Sequence, residues 1–183
     1  MFKFVDLSGA ANHRIVYEQV PKDLEHFGLD DVCIIEKGAE SEIKRIFNGV
    51  EFRQMRGEFD NVSCENQEIP VNAHAKAIHV LGFSFWGDNR ETFEAVYADG
   101  TSEKFGIMML DWSHSVETLG VPAQFDYYGD KVRTAAPFLA SGRLTILVYM
   151  HQDSAPLRKD CEISKLRFPD NTFLHIVAVT LEE

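Results

Sequence analysis

The sequence has few of the residues that mark metal-binding, disulfide-rich or membrane-spanning proteins. Its three cysteines, Cys33, Cys64 and Cys161, are far apart, odd in number and outside the C-x-x-C spacing of metal sites. We expect them to be reduced and mostly buried, with one disulfide plus one free thiol as the alternative. No apolar run approaches the length of a membrane span, and no low-complexity tract or linker divides the chain.

Positive charge is scarce as well. The chain carries 18 Lys and Arg residues against 29 Asp and Glu residues, which gives a formal net charge of −11. A nucleic-acid-binding surface needs clustered cations to neutralise phosphates, yet the longest basic cluster is Arg158-Lys159. We therefore expect neither nucleic acid nor a membrane as a partner, and we attribute the acidity to solubility.

The N-terminal segment lacks an apolar run of signal-peptide length, and Asp6 comes early in it. This predicts a cytoplasmic protein; a secreted location follows instead if a signal has been removed ahead of Met1. The 183 residues suit a single domain, residues 1–183, with a full hydrophobic core.

Strand patterns dominate from residue 48 onward. Residues 49–55 alternate apolar and polar side chains, as a half-buried strand does. Residues 76–85 are apolar on both faces and indicate a central strand. Further strands are predicted at residues 144–150, 163–168 and 173–181.

The dipeptide Asp99-Gly100 separates two alternating runs, residues 93–97 and 105–109. Glycine accepts the positive φ that a type I′ turn requires, so this spacing is a strong hairpin signal. We predict a β-hairpin here with a type I′ turn.

Two segments favour either a short helix or an ordered loop. Pro21 begins the first, residues 21–27, and Gly28 ends it. The second, residues 41–47, has apolar side chains at helical spacing and Asn48-Gly49 as a stop signal. Because seven or eight strands dominate and the helices of a βαβ fold are missing, we expect an all-β, two-sheet antiparallel β-sandwich with one or two short helices.

Several short motifs resemble, in chain order, those of a group of bacterial galactose-binding-like domains. They are Val5-Asp6-Leu7-Ser8 with Asn12, residues 78–83 followed by Trp86-Gly87-Asp88, residues 96–101, Leu110-Asp111-Trp112, residues 168–171 and residues 175–181. Such domains are jelly-roll sandwiches, often appended to glycoside hydrolases such as α-mannosidases. The resemblance implies that fold and, more weakly, carbohydrate binding. The chain departs from it at residues 28–48, where those domains often carry a Gly-rich stretch.

The first candidate ligand-binding residues are Trp86, Asp88 and Asn89, at the end of the predicted central strand. An exposed Trp can stack on the apolar face of a sugar while Asp and Asn bind its hydroxyls. The structural alternative, which we favour, is a buried Trp with Asp88 and Asn89 bonded to the turn backbone.

A second group follows the next strand: Asp111, Trp112, Ser113 and His114. Ser113 and His114 are too close along the chain to imply a nucleophile–base pair, because such constellations form in space. We expect Asp111 to order the loop and Trp112 to pack, with ligand contacts by Trp112 and His114 as the alternative. Asp88 with Asp111 is the carboxylate pair to test first for glycoside hydrolysis.

Residues 124–133 are predicted to form a loop, because adjacent tyrosines stand between acids with a glycine nearby. Its ligand-binding candidates are Tyr127, Tyr128, Asp130 and Arg133. His151 follows a predicted strand and is a further candidate, though we expect a surface histidine there more than a ligand contact.

The seven histidines form no metal-binding motif, so no metal and no cofactor is expected. His79 and His175 lie inside predicted strands and are expected to be core or face residues. No catalytic residue is identified, and an enzyme is the less favoured class.

Three functions are compatible with these patterns. A non-catalytic carbohydrate-binding module is preferred; a protein-interaction or structural module forming homo-oligomers is the alternative; a hydrolase acting on a glycan comes third. A saccharide ligand and a homodimer are the partners that the first two would imply. Convergence of the polar loop residues on one surface would separate the binding module from the others.

Overall fold

The computed structural model describes residues 1–21, 32–36, 42–114, 125–127, 130–142, 145–157 and 161–183. These described segments are built from strands and contain no helix. The strands are β1 (Phe2–Phe4), β2 (Val16–Tyr17), β3 (Val32–Ile35), β4 (Glu42–Phe47), β5 (Val50–Met55), β6 (Val62–Glu65), β7 (Glu68–His74), β8 (Ala77–Ser84), β9 (Asn89–Tyr97), β10 (Ser102–Met109), β11 (Phe125–Tyr127), β12 (Asp130–Gly142), β13 (Thr145–Pro156), β14 (Glu162–Arg167) and β15 (Asp170–Glu182).

The strands form one large sheet, one smaller sheet and a separate hairpin. The large sheet has nine strands and runs β1-β15-β8-β13-β12-β3-β2, with β11 beside β12 and β6 beside β15. The smaller sheet has four strands in the order β10-β9-β14-β7, and β4 pairs with β5 alone. All pairs are antiparallel except β2 with β3.

The large sheet buries side chains on both of its faces. Along β8, Ile78 and Val80 pack toward the four-stranded sheet, in one core cluster with Phe93. Leu81 and Phe83 point to the opposite face and pack in a second cluster with Phe52 of β5. The predicted all-β sandwich is thereby confirmed, and the two-faced burial explains why residues 76–85 are apolar throughout.

The hairpin at Asp99-Gly100 is confirmed, since β9 pairs with β10 in the predicted place. The type I′ turn is wrong: Gly100 has a φ of 83°, but Asp99 is not among the residues with positive φ. The Gly100 amide donates to the Tyr97 carbonyl, and the Tyr97 amide donates to the Thr101 carbonyl. Three residues therefore form the loop, which suits a type I turn followed by a left-handed glycine.

A second hairpin, from residue 42 onward, replaces the short helix or ordered loop expected at residues 41–47. Phe47 pairs with Val50, so Asn48 and Gly49 alone form the turn. Their φ angles of 49° and 83° are both positive, as a type I′ turn requires. Asn48-Gly49 is thus a hairpin turn and not a helix stop. The other expected helix, residues 21–27, lies outside the described residues beyond Pro21.

Residues 125–127 and 130–133 belong to β11 and β12, so the loop expected at residues 124–133 is wrong for these positions. The three cysteines are free thiols, with Cys33 and Cys64 buried, as expected. Burial raises the pKa of the Cys64 thiol. Among the described residues, no helix is long and apolar enough to cross a membrane.

Candidate functional site

Trp86 stands on the loop between β8 and β9 and is 67% exposed. Its φ is 58°, in the left-handed region. In the part of the chain that the structure describes, the other non-glycine residues with positive φ are asparagines, which tolerate this region, whereas a bulky side chain there is an outlier. The preferred expectation of a buried Trp86 is therefore wrong: the backbone presents the indole to solvent.

Asp111 holds this loop in place from the end of β10. One carboxylate oxygen, Oδ2, accepts a hydrogen bond of 2.7 Å from the Gly87 amide. The other, Oδ1, accepts bonds from the backbone amide (2.9 Å) and the hydroxyl (2.5 Å) of Ser113. Partial burial acts to raise the pKa of Asp111, but the hydrogen bonds from Ser113 and Gly87 outweigh it and lower the pKa. Asp111 is thus an ionised anchor for both loops.

Asp88 completes the link between the loops. Its Oδ1 accepts a hydrogen bond of 2.8 Å from the Asp111 amide. The same oxygen lies 3.9 Å from Nδ1 of His114, whose side chain is half exposed. The two carboxylates of the Asp88–Asp111 pair therefore bind backbone amides, which is the turn-stabilising role expected for Asp88.

Trp112 has the opposite placement from Trp86, since it is only 3% exposed. Its ring stacks on Phe83 at 6.0 Å and meets the Phe85 ring edge-on at 4.6 Å. Its backbone amide donates to the Ser84 carbonyl. The packing role expected for Trp112 is confirmed, and the ring forms the floor beneath the two loops.

Asn89 connects these loops to the start of β15. Its side-chain amide donates to Ser84 Oγ at 2.5 Å and to the Gly87 carbonyl at 3.2 Å. Its carbonyl oxygen accepts a bond of 3.0 Å from Asn171. Phe173, two residues after Asn171 on β15, is 47% exposed, and its backbone carbonyl accepts a hydrogen bond from the Phe85 amide. An asparagine pair and a second exposed aromatic ring thus border the Trp86 loop.

The structure gathers Trp86, Asp88, Asn89 and His114 at one end of the large sheet. We call this group, with Asn171 and Phe173, the Trp86 surface. Sequence analysis missed Asn171 and Phe173. The available signal was Asn171 in a turn cluster directly before a strand.

The other candidates do not join the Trp86 surface. Arg133 lies on β12 opposite Gln152, which is opposite Leu81 in the middle of β8. Tyr127 pairs with Asp130 through the backbone of the β11–β12 hairpin. The side chains of Tyr127 and Asp130, and all of Tyr128, lie outside the described residues. Ligand contacts by these residues stay predictions.

His151 was expected at the surface after a strand, and this is wrong. Strand β13 continues to Pro156, and His151 is fully buried opposite Gly82. Its side chain projects from the face of β13 opposite to that of Met150. Asp153 projects from the same face as His151, and its carboxylate accepts a hydrogen bond of 2.8 Å from the Met108 amide. Strand β13 extends beyond the apolar run from which it was predicted, because polar residues near its end are buried between the two sheets.

A buried polar cluster lies under the same end of the sheet. The Asn61 side-chain oxygen accepts hydrogen bonds from Nδ1 of His175 (2.8 Å) and of His13 (3.2 Å). The His175 ring stacks parallel to Phe83 at 5.0 Å. Buried Asp60 accepts the Val16 amide at 2.8 Å. His175 is thus a core residue, as expected.

This cluster predicts that acid destabilises the fold. Burial, with the neighbouring His13, lowers the pKa of His175 well below its ordinary value of 6.5. Burial also lowers the pKa of His13, against the opposing effect of Asp60. As the pH falls, the two histidines therefore become protonated in the unfolded chain before they do so in the folded chain. The stabilising contribution of the two neutral histidines is complete above pH 6.5 and is lost as the pH falls.

We expect the free energy of unfolding to drop by roughly 1.4 kcal/mol per pH unit for His175 below its unfolded pKa. Burial raises the pKa of Asp60, so this residue acts in the opposite direction at more acidic pH. Urea unfolding at successive pH values measures the slope. His175→Gln should reduce it, whereas an unchanged slope in that variant would contradict the assignment.

The described residues contain no cluster of three or more His, Cys, Asp or Glu side chains that could hold a metal ion. Carboxylate, amide and imidazole atoms offer acceptors and donors beside one exposed aromatic face.

Comparison with known proteins places this architecture in a family. A family sequence model described as an AziU2-like β-sandwich domain matches residues 41–183. No curated protein matches the chain. The sandwich implied by the resemblance to galactose-binding-like domains agrees with this description, while the link to glycoside hydrolases stays a prediction. The matched segment holds the four-stranded sheet, the β4–β5 hairpin and both loops of the Trp86 surface. The chain belongs to the AziU2-like β-sandwich domain family.

Proposed function

We propose that this chain is a carbohydrate-binding module that stacks a saccharide on the exposed indole of Trp86. The observation that carries the proposal is the left-handed backbone at an exposed tryptophan. Residues in sparsely populated backbone regions cost on the order of 1–3 kcal/mol and cluster at ligand-binding sites. Burial of the ring does not compensate here, because Trp86 is 67% exposed.

The surroundings of Trp86 fit the two faces of a sugar ring. The apolar C–H face of a pyranose packs on an aromatic ring, while its hydroxyls need donors and acceptors at the rim. Asp88 supplies a partly exposed carboxylate and His114 a half-exposed imidazole. Asn89 and Asn171 are already bonded to each other, so they add rigidity to the rim.

The charge balance narrows the ligand class. With a net charge of −11 and carboxylates at the rim, the protein repels polyanions. We therefore infer a neutral saccharide. Because few atoms make contact, the dissociation constant for a simple sugar should be about 1 mM or somewhat lower.

A glycan-array screen of the protein tests this proposal, with Trp86→Ala and Trp86→Gly as variants. Both variants lack the indole, and glycine also accepts the left-handed φ. We expect a reproducible hit with neutral glycans that weakens at least tenfold in both variants, because the stacking surface is gone. Trp86→Gly should unfold at a higher urea concentration than Trp86→Ala.

Binding that survives in both folded variants, or a blank array, would contradict the proposal. Asp170→Asn is a suitable control, since Asp170 is exposed next to Asn171 and its loss removes only a charge. Retained binding in that variant would confirm that the indole, and not the overall charge, carries the affinity.

A protein-interaction module is the second candidate, favoured by the two exposed aromatic residues at this end, Trp86 and Phe173. Exposed apolar side chains grouped at one end of a domain are typical of association surfaces. Sedimentation at increasing concentration distinguishes the cases. Self-association lost in Phe173→Ser but not in Trp86→Gly would support this alternative, and a monomer at every concentration would exclude a homodimer.

A further inference from the structure

A row of polar side chains crosses the large sheet at the end opposite the Trp86 surface. Thr180 on β15, His79 on β8 and Ser154 on β13 are direct register partners. Directly opposite residues in antiparallel strands project from the same face. Glu182 lies two residues beyond Thr180 and so projects from that face too. The sheet thus brings together a hydroxyl, an imidazole and a carboxylate.

The contacts within this row form a chain centred on His79. Nδ1 of His79 lies 2.7 Å from Ser154 Oγ. Nε2, on the other side of the ring, lies 3.5 Å from Glu182 Oε2. The second oxygen of Glu182 lies 3.0 Å from Nζ of Lys76. The hydrogen bond from Lys76 lowers the pKa of Glu182, so the carboxylate is charged.

The charged Glu182 favours one of the two neutral tautomers of His79. A neutral imidazole has one N–H, and a carboxylate at Nε2 favours the proton there. Nδ1 then presents its lone pair to the Ser154 hydroxyl. Burial lowers the pKa of His79, while Glu182 opposes this, so the ring is available as a neutral base near pH 7.

We propose that Ser154 is an activated nucleophile for small uncharged acyl esters, with His79 as its general base and Glu182 as the residue that positions His79. A hydroxyl hydrogen-bonded to an imidazole, with a carboxylate facing the other ring nitrogen, is an arrangement used for acyl transfer, and it is recognised by roles and not by sequence order. The inference is independent of carbohydrate binding at Trp86.

The reaction balances with these groups and water. Ser154 Oγ attacks the ester carbonyl carbon, and its proton passes to His79 Nδ1. The carbon–oxygen bond to the leaving alcohol breaks, and the alcohol takes the proton from His79. A water molecule then attacks the acyl-serine, again giving its proton to His79. The carboxylic acid leaves, and that proton returns to Ser154.

The surroundings of the row set the substrate class. Ser154 is half-buried, and Glu182, beside the far nitrogen of His79, is partly exposed. The β4–β5 hairpin borders the row, because the Glu51 carbonyl accepts Thr180 Oγ1 at 2.8 Å. Near its turn, Asn48 donates to Gln152 two residues before Ser154. Since Glu182 would repel anions, the row favours small neutral esters.

The test uses a fluorophosphonate and peptide mapping by mass spectrometry. Attack by Ser154 Oγ forms a phosphorus–oxygen bond and expels fluoride, while His79 takes the proton. We expect labelling at Ser154 that is absent in Ser154→Ala and at least about 100-fold slower in His79→Gln, as for loss of a general base. Ser164→Ala is the control, because that hydroxyl donates to the Val96 carbonyl.

Glu182 is tested separately because it acts through His79. Glu182→Gln should slow labelling about tenfold, and Glu182→Asp should restore most of the rate. Hydrolysis of p-nitrophenyl acetate should fall in Ser154→Ala to the rate of solvent alone. Urea unfolding confirms that each variant is folded. If His79→Gln does not fold, the labelling rates of Glu182→Gln and Glu182→Asp test the proposal instead. Unlabelled Ser154 in the wild-type protein, or equal labelling rates in folded His79→Gln or Glu182→Gln, would overturn the proposal.

Discussion

Replacing Trp112 with alanine should destabilise the protein by about 3–5 kcal/mol. The ring is 3% exposed and contacts Phe83 and Phe85, so its removal leaves a cavity between the large sheet and the loop. Single domains are stable by only about 5–15 kcal/mol, so this loss takes a large share of the total. Urea unfolding followed by far-ultraviolet circular dichroism measures the change.

Trp86→Ala is the matched control for that experiment. The same side chain is removed from a neighbouring loop, but the Trp86 ring is mostly exposed and leaves no cavity. We expect a change within about 0.5 kcal/mol, as for surface substitutions. Equal losses in the two variants would contradict the assignment of one tryptophan to the core and the other to the surface.

Replacing Gly82 with alanine should cost about 3 kcal/mol, the upper end of the range for overpacking. A Cβ atom at this position would lie 2.3 Å from the His175 carbonyl oxygen and 3.4 Å from the Ile176 Cα. Both atoms belong to the backbone of β15, so no side-chain rotation relieves the clash. The adjacent register shift between Ile176 and Ala178 brings the two strands to this close approach.

Gly106→Ala provides the control for the Gly82 substitution. It is also a strand glycine, but its added Cβ would meet the guanidinium of Arg90, whose side chain is exposed and can move. We expect a change of roughly 0.5 kcal/mol or less. Similar unfolding midpoints for Gly82→Ala and wild type would show that β8 and β15 can separate without loss, which the packing rules out.

Local sequence patterns predicted the fold best at a turn and in the central strand. The Asp99-Gly100 hairpin and the central strand at residues 76–85 were found, because turn residues and two-faced burial leave direct signals. The helix at residues 41–47 failed for a physical reason. Ile43 and Phe47 are compatible with both helical and strand periodicity, so only the Asn48-Gly49 turn separates the two.

The sites depended on contacts that sequence does not encode locally. Trp86 and Trp112 both follow strands and have an aspartate within two residues, yet the left-handed φ of Trp86 turns one ring outward. Ser154 and His79 are 75 residues apart and meet only through sheet register. His79 was placed on its strand, but Ser154 was not, because the strand that holds it was predicted to end at Met150.

Intrinsic fluorescence of a Trp112→Phe variant tests the central proposal most directly. The chain has two tryptophans, so Trp86 alone would emit. Titration with the neutral glycan that gives the strongest array signal should shift and quench this emission with a saturable curve that matches the array affinity. Saturable binding by calorimetry that leaves the Trp86 emission unchanged would place the ligand elsewhere and contradict the account.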